Sequence, residues 1–69
     1  MPKLYSSADI LRVLVSHGFH FVSQKGSHIK YRKTGNPTLT VIIPADRKQI
    51  PAGTFQSILK QAGLSKEDF

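Results

Sequence analysis

The chain has 69 residues, no cysteine, and ten Lys and Arg against four Asp and Glu, for a formal net charge of +6. That length points to one domain, residues 1–69, around a single small core with no room for a linker. Missing cysteines exclude a disulfide framework and Cys-based zinc sites and fit a reducing cytosol. No apolar run approaches membrane-spanning length and the N-terminus lacks a signal-peptide layout, so a soluble, cytoplasmic protein is expected.

The first element expected is a helix over residues 6–17. Ser6 reads as its N-cap, Asp9 completes a capping-box-like pair, and Tyr5 and Ile10 occupy the positions of a hydrophobic staple. Ile10, Leu11, Leu14 and Val15 form an apolar stripe, and Gly18 suits the left-handed position just past the end. Asp9 in the first turn and His17 in the last both suit the helix dipole.

Phe19 to Gln24 alternates as a strand with Phe19 and Phe21 on one face, and Lys25-Gly26 is a turn. Ser27 to Lys33 alternates more cleanly, with Ile29 and Tyr31 pointing one way and His28, Lys30 and Arg32 the other. A turn at Thr34-Gly35-Asn36-Pro37 leads to a β-branched strand, Leu39 to Ile43, ended by Pro44. After a loop from Ala45 to Ile50, a second helix begins near Pro51, with Phe55, Ile58, Leu59 and Ala62 at helical spacing. Gly63 and Leu64 fit the C′ and C″ positions of a Schellman motif, and the last residues make at most one more helical turn.

The expected fold is therefore α+β, a single α-β-β-β-α domain with a three-stranded antiparallel sheet. Both helices lie on the Phe21, Ile29, Tyr31 and Val41 side, leaving His28, Lys30 and Arg32 on the open side. A double-stranded-RNA-binding domain has this element order, but order alone says little about function.

The charge is concentrated. Lys25, Lys30, Arg32, Lys33, Arg47 and Lys48 fall mid-chain, with Asp46 the one acid among them. Such a stretch favours a polyanion, RNA or DNA, through phosphate contacts and counterion release, with an acidic protein surface as the competing partner.

His28 is the candidate for chemistry. Cations on its face would favour its neutral, proton-accepting form and hold a phosphate beside it. Metal-free RNA cleavage needs a base for the ribose 2′-OH and cations for the developing charge. On pattern alone, a polar histidine on a solvated strand is the plainer reading and stands ahead of catalysis. His20 reads as structural or exposed. The three histidines and four acids are scattered, with no metal-ligand spacing and no cofactor motif. Ser27 neighbours His28 on a strand, which points the two side chains apart and speaks against Ser-His chemistry.

The segment Gln24-Lys25-Gly26-Ser27-His28-Ile29-Lys30-Tyr31 resembles the G-S-H-x-x-[YF] signature of HicA-type toxins. Gly53-Thr54-Phe55 with Ile58 to Ser65 resembles that family's G-T-L-x-x-I-L-x-Q-A-G-L-S run, and Ile10 to Gly18-Phe19 resembles its first helix. The resemblance covers essentially the whole chain in order. It implies a double-stranded-RNA-binding-like fold, an mRNA-interferase activity, His28 as the catalytic residue, and a HicB-like antitoxin that covers the site. Within that reading Lys25, Ser27, Lys30, Arg32 and Lys48 are the expected phosphate contacts, and no cofactor is required. The family often carries a second histidine in a V-P-x-H pattern. Here Ile43-Pro44-Ala45-Asp46 puts an aspartate there, an auxiliary to His28 or, the favoured reading, a structural residue that pairs with Arg47 or caps the loop. Near the second helix only Lys48 stands in for the Lys-Lys-x-Ala-Lys cluster of duplex-binding domains, which argues against ordinary duplex binding. The alternatives to a nuclease are a non-catalytic RNA- or DNA-binding module using the same basic face, and an interaction protein with an acidic partner.

Overall fold

The computed structural model describes residues 4–69. Its elements run α1 (Ser7–Ser16), β1 (His20–Lys25), β2 (His28–Lys33), β3 (Leu39–Pro44) and α2 (Ala52–Ala62), closed by a 3-10 turn at Lys66–Asp68. The strands form one antiparallel sheet in the order β1-β2-β3. No helix among the described residues is long and apolar enough to cross a membrane.

Local sequence sets both ends of α1. Ser6 Oγ accepts the Asp9 N–H while the Asp9 carboxylate accepts the Ser6 N–H, each at 3.1 Å, a reciprocal capping box. At the other end Gly18 takes φ 92°, and Phe19 N–H reaches back to Leu14 O at 2.9 Å. That is the 6→1 bond of a Schellman motif. Helix α2 ends the same way, with Gly63 at φ 68° and Leu64 N–H donating to Leu59 O at 3.0 Å. Ser6 is the N-cap as expected, while His17, expected in the last turn, is the C-cap. Pro51 likewise caps α2 instead of entering it.

The stripes of both helices meet the sheet in one core of Ile10, Leu14, Phe19, Val41, Ile43, Ile50, Ile58 and Ala62. Each fully buried large aliphatic contributes on the order of 1.5–3 kcal/mol relative to exposure. Two expected core positions fall outside it. Val15 is 57% exposed, since Ile10 and Leu14 centre the buried stripe and Val15 lies past its edge. Phe21 pairs with Tyr31 on the helix-covered face, yet it is 55% exposed on the edge strand and meets the Tyr31 ring edge-on at 6.0 Å. Phe19, 3% exposed, precedes the strand and packs inward from the α1–β1 connection.

Three aromatic rings packed against that core tie the ends of the described chain together. Tyr5 stacks on Phe55 at 5.2 Å and leans on Phe69 at 5.4 Å, while Ile50 N–H donates to Tyr5 O at 2.8 Å. On the free edge of β3, the Gln61 amide oxygen accepts the Ile42 N–H at 3.1 Å, so α2 partly covers that edge.

The Asp9 carboxyl titrates below the ordinary carboxylate range, held down first by the Ser6 backbone N–H, then by the Ser6 hydroxyl and Arg12. A depressed folded-state value means the stabilisation is full above the unfolded value and fades as pH falls through the folded one. Asp9→Asn should therefore be less stable than the parent at neutral pH, with the difference closing below about pH 4, where the unfolded carboxyl protonates. Urea titrations of both chains at several pH values measure this.

Candidate active site

The site begins with a tight hairpin. Lys25 pairs with His28, so only Gly26 and Ser27 connect the strands, and Gly26 takes φ 59°. Glycine at the first central position of a two-residue loop is the II′ pattern, whose twist matches that of the strands. His28 is thus the first residue of β2, at the rim of the sheet and exposed.

Which side chains share its face follows from the register. Directly opposed residues point to the same side of a sheet. Lys25, His28 and Pro44 form one row; Ser23, Lys30 and Ile42 form the next; His20, Arg32 and Thr40 form the third. All three rows lie on the open face, away from the helices. Lys30 and Arg32 are half-buried, and Arg32 Nε donates to Thr40 Oγ1 at 3.4 Å. At roughly 3.3 Å per residue, Lys30 and Arg32 lie about 7 and 13 Å along the strand from His28. His20 is exposed and stands opposite Arg32, at the far end from His28.

Lys25 reaches this face through an irregularity that the alternation of residue types does not announce. Phe21 pairs with Tyr31 and Ser23 with Lys30, leaving Val22 without a partner, a one-residue bulge. Strict alternation from Phe21 would have turned Lys25 to the helix side. The bulge turns Lys25 outward beside His28 and Gln24 inward opposite Ile29.

The β3–α2 loop closes onto the same end. Ala45 N–H donates to Ser27 O at 2.7 Å, so the hairpin turn and the loop are hydrogen-bonded to each other. Asp46, two residues past the partner of His28, adopts φ 55° and is exposed. Asp tolerates that left-handed conformation better than most residues. The Asp46–Arg47 pairing, one of the structural roles open to Asp46, does not form: among the described residues the ion pair found joins Arg12 to Asp9. Arg47 and Lys48 are exposed on the α1 side of this end.

Of the expected site residues, the fold gathers Lys25, Ser27 and His28 at the hairpin end, with Asp46 and Lys48 on the adjoining loop. Lys30 and Arg32 run away along the open face. Sequence reasoning missed Ser7. Its side chain is 4% exposed, donates to Pro44 O at 2.6 Å and accepts the Arg47 N–H at 3.0 Å. Its own N–H donates to Arg47 O at 2.9 Å. A serine in a first helical turn carries no sequence signal for such a role, since it reads as an ordinary helix start.

No protein group among the described residues hydrogen-bonds the His28 ring, leaving it open to a ligand. No three His, Asp or Glu among the described residues lie close enough together to hold a metal ion. The chemistry available is an accessible imidazole, an ammonium across the ladder, and two further cations along the face.

Compared with known proteins, residues 7–64 match the family model described as the HicA toxin of bacterial toxin-antitoxin systems. The chain therefore belongs to the HicA toxin family. No curated protein sequence matches it.

Exchanging Gln24 and Lys25 (Gln24→Lys with Lys25→Gln) keeps the net charge while moving the ammonium to the other face. If the bulge sets the face as described, the exchanged chain should bind single-stranded RNA as weakly as Lys25→Gln alone, several-fold below the parent. Parent-like affinity in a gel-shift titration would show that the face does not matter.

Proposed function

We propose that this HicA-family chain is a metal-independent endoribonuclease that cleaves mRNA in the bacterial cytoplasm and so inhibits translation, held in check by a HicB-like antitoxin. The observation that carries the reading is the position of His28: exposed at the rim of the sheet, with Lys25 across the ladder and Lys30 and Arg32 on the same face. An imidazole in reach of a ribose, beside cations that hold the phosphate, is the minimum set for this reaction.

In the proposed step neutral His28 takes the proton of a 2′-OH, and that oxygen attacks the adjacent phosphorus. The bond to the 5′-oxygen breaks as the 2′,3′-cyclic phosphate closes. In an in-line displacement the departing oxygen lies on the far side of phosphorus from the base. It takes its proton from solvent, to which this rim is open. Lys25 and Lys30 neutralise charge on the non-bridging oxygens, while Arg32 holds the strand further along. Ser27 offers a hydroxyl in the turn, and Lys48 a charge on the adjoining loop. A HicB-like antitoxin would act by covering this rim, and the net positive charge suits an acidic covering surface.

The non-catalytic alternative, RNA or DNA binding by the same face, draws on the absence, among the described residues, of any group orienting the His28 ring. One variant separates the two. His28→Ala should keep the parent's thermal unfolding but lose RNA cleavage by at least about a hundredfold, and with it growth inhibition on induction. Cleavage by the variant at the parent's rate, with EDTA present, would remove His28 from the reaction.

A further inference from the structure

We propose that the groove between α1 and the β3–α2 loop is a second subsite for the RNA strand, in which Arg47 and Lys48 hold the phosphate of a nucleotide flanking the scissile one. The inference rests on the endoribonuclease reading and gives its substrate a path. The groove has a volume of about 380 Å³, with Ala8, Leu11 and Ile29 as apolar lining and Asp46, Arg47 and Lys48 as its charged rim.

Three observations support this occupant. The groove lies at the same end of the sheet as His28 but on its helix-covered face: Ile29 follows His28 in β2, and the loop that carries Arg47 and Lys48 is bonded to the hairpin turn by Ala45 N–H and Ser27 O. The reacting 2′-OH must lie within hydrogen-bond reach of His28 at the rim, and where Lys30 and Arg32 guide the strand one way along the open face, the other way leads over this end of the sheet.

Arg47 is also preset. Ser7 takes both its backbone N–H and its backbone C=O, so the root of the side chain is fixed to α1. Its guanidinium is in no ion pair among the described residues. A guanidinium on an anchored backbone and outside any ion pair is suited to bidentate phosphate contact.

The third observation is the pairing of charge with an apolar lining. Two cations against the Asp46 carboxylate leave the rim net positive, while exposed Ala8 and half-buried Leu11 offer apolar surface to a sugar or an unstacked base. Single strands are bound by this combination of charged track and apolar contact. An acidic protein segment could meet the same charges, but the groove's place at the His28 end of the sheet favours the substrate.

The test uses the full chain with His28→Ala, so that binding is read without cleavage, and a short single-stranded RNA titrated at several salt concentrations. Adding Arg47→Gln and Lys48→Gln should weaken binding about tenfold and make the salt dependence shallower by at least about 0.7, the share of one phosphate contact on a single strand. Lys60→Gln, on the exposed side of α2, should change neither. Asp46→Asn, which keeps the left-handed turn, should tighten binding. In the His28-intact chain, the Arg47 and Lys48 changes should raise KM and leave kcat near the parent's.

Unchanged affinity and salt slope in the double variant would overturn the subsite, as would loss of binding to polyglutamate with RNA binding intact. RNA binding that depends on Arg47 and Lys48 in a chain whose parent cuts no RNA would keep the subsite and remove the nuclease reading instead.

Discussion

The site depends on one buried hydroxyl. Ser7 sits in the first turn of α1, where backbone N–H groups have no partner within the helix. Its N–H is satisfied by Arg47 O, its hydroxyl donates to Pro44 O, and the hydroxyl oxygen accepts the Arg47 N–H. Pro44 is the residue opposite His28. The start of α1, the strand that backs His28 and the cationic loop are therefore one hydrogen-bonded unit. Removing a hydroxyl so placed leaves buried polar groups unmatched, a cost of about 1–3 kcal/mol that a 69-residue domain feels strongly.

On that base the hairpin supplies the end that carries His28. Gly26 allows a two-residue turn, and so puts His28 in the last pair of the ladder, at the rim. The unpaired Val22 then reverses the alternation of β1, so that an ammonium and not an amide faces the imidazole. Since the side-chain period of a strand is two, one extra residue is enough to exchange the faces of everything beyond it. The helices hold the other side. Their stripes need the β3 side chains Val41 and Ile43, which leaves the outer rows free to be charged.

The element order, the capping box, both glycine helix ends and the open face of β2 were legible in the sequence, because each rests on local chemistry or a clean period. The family was legible as well, since the motifs around His28 and along α2 recur in order over the stretch that matches the HicA toxin model. The orientation of Lys25, the exposure of Phe21 and the clamp at Ser7 were not. A bulge leaves no mark in a pattern of residue types, and Phe21 lies on the expected face but on an edge strand that the helices do not cover. Ser7 bonds to residues 37 and 40 positions away, a separation no local pattern reports.

The central claim is that His28 activates a ribose 2′-OH, and the ends of the cleaved RNA report on it directly. RNA cut by the purified parent chain in EDTA should carry 2′,3′-cyclic phosphates upstream of each break and 5′-hydroxyls downstream. Fragments with 5′-phosphates, or cleavage that stops when divalent metal is removed, would mean that water attacks in place of the 2′-OH or that a metal drives the reaction, and would contradict the account.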